Sequence, residues 1–471
     1  MDTAATASAA PGQPRRCLSV ASAVGIVVGI VVGAGIFQFP SLVAMNVSSA
    51  TMMIALWVAG GIISLIGALC YAELASTYPD AGGDYHFIGR AYGPQVAFLF
   101  AWARMTVIQT GSIAVIAFVI GEYAAAALPL GAYGPAIYAA LSVVLLTGLN
   151  LAGVRLGAGA QLVATVAVVL GLLMVVFAGF TSTPPAVTGN SGGSGGSAIG
   201  LAMVFVLLTY GGWNEAAYLS AEVRSRAGIV WALLLGIAIV TAVYLLMNLA
   251  MLHALGLGGM ASSMTIAADV MRTRFGEVGA KIVSVVVVLA AATTANATII
   301  TGARSNYALG RDFPLLGRLS RWREHGNTPT TALIVQAVIT LVLVAVGWLS
   351  QNPDDPTKTA RKSLESMVAY ITPVFWVFFL LTGISLFVLR YRDREIERPF
   401  KVPLYPVTPL LFCGACAYML WSSLNYAGRY SWIGLAVLIA GVPLLLAARP
   451  RATMPRFPVQ TAVDVAAQQQ T

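Results

Sequence analysis

Two glycine-rich runs hold the residues best suited to grip a small charged ligand. They are Gly33-Ala34-Gly35-Ile36 before Phe37, and Tyr210-Gly211-Gly212-Trp213 before Asn214 and Glu215. Each interrupts an apolar stretch that otherwise reads as a membrane-crossing helix. Hydrocarbon offers no partner to a freed backbone N–H or C=O, so such a break persists only where it lines a cavity. A half-helix starting near Gly35 would direct amides, with their partial positive charge, at a carboxylate. A half-helix ending at Tyr210 would direct the carbonyls of residues 206–210 at an ammonium group. Donors for a carboxylate beside acceptors for an amine are the complement of a small zwitterion such as an α-amino acid.

The surrounding residues leave several roles open. Gly25, Gly29 and Gly33 recur every four residues, a spacing that suits close helix packing. Trp213 could close over a ligand or fill the core as an ordinary aromatic. A carboxylate at membrane depth is costly, so Glu215 has three candidate roles: counter-ion to a cation, proton carrier, or complement to its own helix end. Arg104 could pair with Glu215, but its place near a helix end favours snorkelling to the interface. Glu122, at the other end of that helix, is expected to be wet. Thr293 and Thr294, with Asn296, could supply oxygens to Na⁺, although helix-interface bonding is the simpler role.

These residues need a bundle of apolar helices to position them, and the composition supplies one. Of 471 residues, 58% are hydrophobic and 10% charged, whereas soluble domains carry about 25% charged residues. Apolar segments of about 20 residues recur, the length of a spanning helix. Twelve spans are expected, centred near Val31, Ile63, Ile113, Leu145, Leu170, Tyr210, Tyr244, Leu289, Val342, Phe378, Met419 and Leu438. The fold class is therefore an all-α polytopic membrane protein with 12 transmembrane helices. The first ten spans form two sets of five, each opening with a broken helix (1 and 6), as an inverted repeat requires. Residues 18–180 and 198–390 would be the two five-helix repeats, and residues 181–197 an external Gly/Ser-rich loop. Residues 391–448 would hold helices 11 and 12, and residues 1–17 and 449–471 the two cytoplasmic tails.

The net charge of +9 follows the positive-inside pattern rather than a nucleic-acid surface. Arg15 and Arg16, the group Arg311, Arg318, Arg321 and Arg323, and the group from Arg390 to Lys401 fall in alternate connections. Arg449, Arg451 and Arg456 follow the last span, while residues 181–197 have no Lys or Arg. Both termini are then cytoplasmic, in a cytoplasmic (inner) membrane; Arg272, Arg274, Lys358, Arg361 and Lys362 depart from the pattern. The Arg15-Arg16 pair resembles a twin-arginine signal, but the long following run reads as a retained span. Cys413 and Cys416 lie in an apolar helix without a second pair, and His86, His253 and His325 are far apart in sequence. Neither set makes a metal or redox motif, and no nucleophile motif appears, so no cofactor is expected and the chain does not read as an enzyme.

At these residues the chain resembles the amino acid–polyamine–organocation superfamily over nearly its whole length. Gly33-Ala34-Gly35-Ile36-Phe37 is similar to the family's first-helix signature. Glu73-Leu74 through Pro79, Gly82-Gly83 and Tyr85 to Gly93-Pro94 resemble its segment after helix two, and residues 150–154 the end of helix four. Tyr210-Gly211-Gly212-Trp213-Asn214, with Glu222 downstream, is similar to helix six of the L-type amino acid transporter branch. Asn296, Arg304 and Arg311-Asp312 match helix eight and its exit. The resemblance implies a LeuT-like 5+5 fold and alternating access. It assigns carboxylate binding to Gly33, Ala34 and Gly35, and amine binding to backbone near Tyr210 and Gly211. Two positions depart: Ala34 replaces the usual Ser, and Val168 stands where many relatives have a buried Lys linked to coupling.

The expected function is a secondary transporter that moves amino acids by alternating access, with H⁺ or Na⁺ coupling open. The expected partners are the small-molecule substrate and the lipid bilayer, with no nucleic acid, and the oligomeric state is open. The alternative within transport is a polyamine or organic-cation carrier using Glu215 as counter-ion. A non-transporting amino acid sensor is the more distant rival.

Overall fold

A computed structural model describes residues 19–80, 82–153, 158–184, 199–215, 223, 226–323, 328–349, 356–426 and 429–447. The tails, most of the Gly/Ser-rich loop and Glu222 lie outside the described residues. Among those described, the chain is helical throughout, with one isolated β-bridge between Arg323 and Thr328. The first apolar stretch is divided into α1 (Val20–Val31), a 3₁₀ turn (Ala34–Phe37) and α2 (Phe39–Met45). Ser19 caps α1 by accepting from Ser22 N at 3.2 Å, and Ser49 caps the next helix by accepting from Met52 N at 3.1 Å. Then follow α3 (Ala50–Thr77), α4 (Asp84–Tyr92), α5 (Pro94–Ala103), a π-helical turn (Arg104–Ile108) and α6 (Gln109–Ala127). Next come α7 (Gly134–Leu151), α8 (Ala158–Thr181), α9 (Ile199–Tyr210), α10 (Arg226–Ser262) and α11 (Ile266–Asp312). The chain continues through α12 (Thr330–Leu349), α13 (Pro356–Arg392), α14 (Val407–Tyr426), α15 (Arg429–Ile439) and α16 (Gly441–Ala447).

Among the described residues, nine helices are long and apolar enough to cross a bilayer, and Val20–Val31 and Val166–Thr181 are shorter apolar helices. Every expected span centre lies in a helix or at one of the two breaks. Leu141, Val144 and Leu145 on α7, Leu173 and Phe177 on α8, and Val338 and Val342 on α12 are about half exposed. So continuous an apolar exterior is the surface of a protein solvated by lipid rather than water. Inside, α3 packs along α10, α6 along α11, α1 against α10 and α2 against α9. These contacts gather both breaks around the centre of the bundle.

Candidate functional site

At the first break, α1 ends and the backbone turns through Gly33, whose N–H donates to Val31 O at 2.8 Å. The following 3₁₀ turn closes with Gln38 N donating to Gly35 O at 3.1 Å. The leading amides of such a turn, those of Ala34 and Gly35, have no carbonyl of their own helix to meet. At the second break, α9 ends at Tyr210, Gly211 N donates to Leu208 O at 3.0 Å, and Gly212 takes φ +106°. Only glycine enters that region without strain, and a Cβ at Gly212 would also lie 3.1 Å from Ile30 Cγ2. The chain resumes as a short turn through Trp213, Asn214 and Glu215. The half-helix expected beyond it falls outside the described residues.

One side chain joins the two breaks. Tyr244 of α10 is fully buried, and its hydroxyl is within hydrogen-bond range of Val31 O (2.8 Å) and Thr209 O (3.0 Å). A single hydroxyl proton thus serves the last carbonyl of α1 and a terminal carbonyl of α9, holding the two unwound segments side by side. The far end of the first break is held by Tyr123 of α6, which donates to Phe37 O and accepts from Ala267 N.

Between the breaks lies a cavity of about 600 Å³, within the usual range for small-molecule sites. Gly33, Ala34, Gly35, Gly211, Gly212 and Glu215 all line it, and so do Thr293 and Thr294. Ile36, Tyr210 and Trp213 do not. Ile36 is buried, and the Tyr210 hydroxyl donates to Trp57 O at 3.1 Å, pointing into α3. Trp213 is buried and packs edge-on against Tyr71 (ring centroids 5.0 Å) and Phe379 (5.7 Å). Gly25 and Gly29 were expected at a packing seam. Instead nothing lies within 4 Å of where their Cβ atoms would be, and both border the cavity. Small residues here leave room for a ligand rather than for another helix. A Cβ at Gly33 would sit 3.3 Å from Thr294 Oγ1, which places Thr294 directly beside the first break. Both threonine hydroxyls donate to Ala290 O, while Asn296 is engaged with Asn150 Nδ2 at 2.7 Å.

Two charged residues differ from expectation. Arg104 does not snorkel: it is 5% exposed and its Nη1 lies 3.3 Å from Glu215 Oε1. The π-turn that carries it rotates its side chain into the bundle, a common use of such turns at functional sites. Glu122 is not wet but buried, and accepts from Gln38 Nε2 at 2.5 Å. Gln38, just after the first break, also reaches Met264 O, so this pair secures the start of α2. Val168 is half-buried on α8.

A second polar layer ties the end of α3 and the helix α4 to α13. Glu73 is fully buried, pairs with Arg390 through both carboxylate oxygens, lies 3.6 Å from Arg398 Nη1, and accepts from Val402 N at 2.7 Å. Asp393 accepts from Arg90 Nε at 2.8 Å and from Tyr78 Oη at 3.0 Å. Asp84 is buried at the start of α4, within reach of the Thr382 hydroxyl at 3.4 Å. The sequence had marked this segment only through its resemblance. Tyr244 and Gln38 carried no signal there, because nothing in a pattern of apolar residues says where a hydroxyl or amide points.

Two helix breaks thus border one largely apolar cavity. Comparison with known proteins gives the family. The amino acid permease family matches residues 18–443, and the chain belongs to it. The human b(0,+)-type amino acid transporter 1 is 31% identical over 409 residues, covering 84% of this chain and 80% of the relative. The mouse large neutral amino acids transporter small subunit 2 is 29% identical over 467 residues, covering 94% of this chain and 83% of the relative. The chain is thus an amino acid transporter, and its relatives are permeases rather than enzymes.

Proposed function

We propose that the chain is a secondary carrier of neutral α-amino acids, working by alternating access in a cytoplasmic membrane with both termini inside. The observation that carries this is the cavity itself. Ala34 and Gly35 of the first break line it, and so do Ile30, Val31, Leu208 and Thr209 at the ends of α1 and α9. A substrate carboxylate is held by the amides and its ammonium by the carbonyls. Ile26, Ile30, Val115, Ile116, Val119 and Ile371 leave an apolar wall for the side chain. Glu215 is already paired with Arg104, which speaks against its serving as counter-ion to a polyamine.

A 12-helix LeuT-like arrangement fits the packing: the second and seventh spans lie together, as do the third and eighth. Movement of one five-helix set against the other would then expose the cavity to each side in turn. Coupling to H⁺ or Na⁺ is read by experiment. Purified protein in liposomes is given labelled amino acids or putrescine, with an inward proton gradient, a Na⁺ gradient, or unlabelled substrate inside. Uptake of neutral amino acids is the expected result, and the stimulating condition names the coupling. Uptake of putrescine alone would overturn the reading.

A further inference from the structure

Beside the main cavity lies a second one, about 30 Å³ in volume, close to the share of one water in the liquid. Four separate elements supply its polar lining: Asp84 from α4, Arg104 from the π-turn, Asn214 and Glu215 from the second break, and Thr382 from α13. Asn214 and Glu215 also line the main cavity, so the two spaces share a wall. Among the described residues lining the small cavity, two carboxyl groups face one guanidinium. Glu215 has Arg104 at 3.3 Å, which leaves Asp84 as the unmatched carboxyl. Asp84 is 3% exposed, and the hydrogen-bonding groups around it are neutral: the Thr382 hydroxyl at 3.4 Å, the Tyr71 hydroxyl and the Asn214 amide. The Tyr71 hydroxyl belongs to α3 and is fully buried. Arg90, on the same helix as Asp84, is committed to Asp393. An excess negative charge in such a place is costly unless a proton neutralises it.

We propose that Asp84 is a proton-binding site wired to the substrate cavity through Arg104 and Glu215. With Asp84 neutral, Arg104 faces one ionised carboxylate of the small cavity, Glu215, and clamps the second break to the π-turn. With Asp84 ionised, Arg104 is shared between two carboxylates and its hold on the break weakens. Because transport requires that break to move, turnover rises as Asp84 loses its proton. The proton comes from the medium and returns to it, so the site changes charge by one unit and forms no covalent bond. Burial pushes the Asp84 carboxyl up to about 6, with Glu215 adding to the rise and Tyr71, Arg104 and Asn214 opposing it. The effect on transport rests on the amino acid reading above; the proton site does not.

Infrared difference spectroscopy of the purified full-length chain, titrated from pH 4.5 to 8, reads the proton directly. The expected result is a protonated-carboxyl band that disappears with a midpoint near 6 and is missing from Asp84→Asn. Glu215→Gln removes the neighbouring carboxylate that raises Asp84, so the midpoint should fall by about one unit, a tenfold change in proton affinity. A band that survives in Asp84→Asn, or a midpoint unmoved in Glu215→Gln, would overturn the proposal. In liposomes, amino acid exchange should rise several-fold across the same pH range in the natural chain and stay flat in Asp84→Asn. An Asp84→Asn variant that keeps the natural pH profile would sever the site from transport. A correct titration in a protein inactive on every amino acid would instead count against the transport reading and leave the proton site standing.

Discussion

At the scale of single residues, the account turns on groups that hold the two breaks open and together. Tyr244→Phe removes the one hydroxyl shared by Val31 O and Thr209 O. Leaving buried carbonyls without that donor should cost about 1–3 kcal/mol of stability and lower exchange more than it lowers folding yield. Thermal unfolding in detergent beside counterflow in liposomes separates the two effects. Gly35 offers a different test. A Cβ there would make ordinary contacts with Phe39 and Thr209 at 3.4–3.5 Å, so the position itself accepts a side chain. The branched methyls of Gly35→Val must then occupy the cavity, and this variant should fold, insert and fail to transport. Arg104 and Glu215 are best read as a pair. Arg104→Met and Glu215→Gln should each be damaging, and the double variant less so than their sum, by about 0.5–3 kcal/mol.

At the scale of elements, helix breaks were legible and helix contents were not. Gly33 to Gly35 and Gly211-Gly212 announce their breaks because glycine runs and hydrocarbon are hard to reconcile in any other way. The carboxylate-facing role proposed for the first break rests on helix-end chemistry. Trp213 and Tyr210 sit in the same motif but turn away from the cavity, since one residue around a helix end is enough to reverse a side chain. Arg104 was misplaced because a π-turn, invisible in hydropathy, rotates it inward. Glu122 was misplaced because depth along a helix does not tell which neighbour covers it; Gln38 does. The polar layer around α4 is a matter of elements too. Glu73 anchors α3 to α13 and to the amide of Val402. Glu73→Ala strands buried guanidinium groups and should cost about 3–5 kcal/mol, seen as a fall in the unfolding temperature without a change in substrate selectivity.

At the scale of the whole molecule, two carboxyls on this polar layer, the buried Asp84 and the part-buried Asp393, should shape stability in opposite ways as pH changes. Burial pushes Asp393 up, but Arg90, Tyr78 and Arg392 outweigh it, and the net effect holds the carboxyl below its ordinary value of 3.8. Its bonds therefore stabilise the fold above that value and are lost as pH falls through the lowered one. Asp393→Asn should unfold more easily than the natural chain at pH 7, with the difference vanishing in strong acid. Asp84 is raised instead, so its contribution is present below 3.8 and is lost as pH climbs through about 6. Asp84→Asn should accordingly be more stable than the natural chain at pH 8 and indistinguishable from it at low pH. On the proposed function, the carrier would recognise both ends of a zwitterion with backbone and leave the side chain to an apolar wall. The most direct test is competition for uptake in liposomes by a neutral amino acid, its methyl ester, its deaminated acid and putrescine. Strong inhibition by the amino acid alone is the predicted result. Equal inhibition by the ester or by putrescine would contradict two-ended recognition at the breaks.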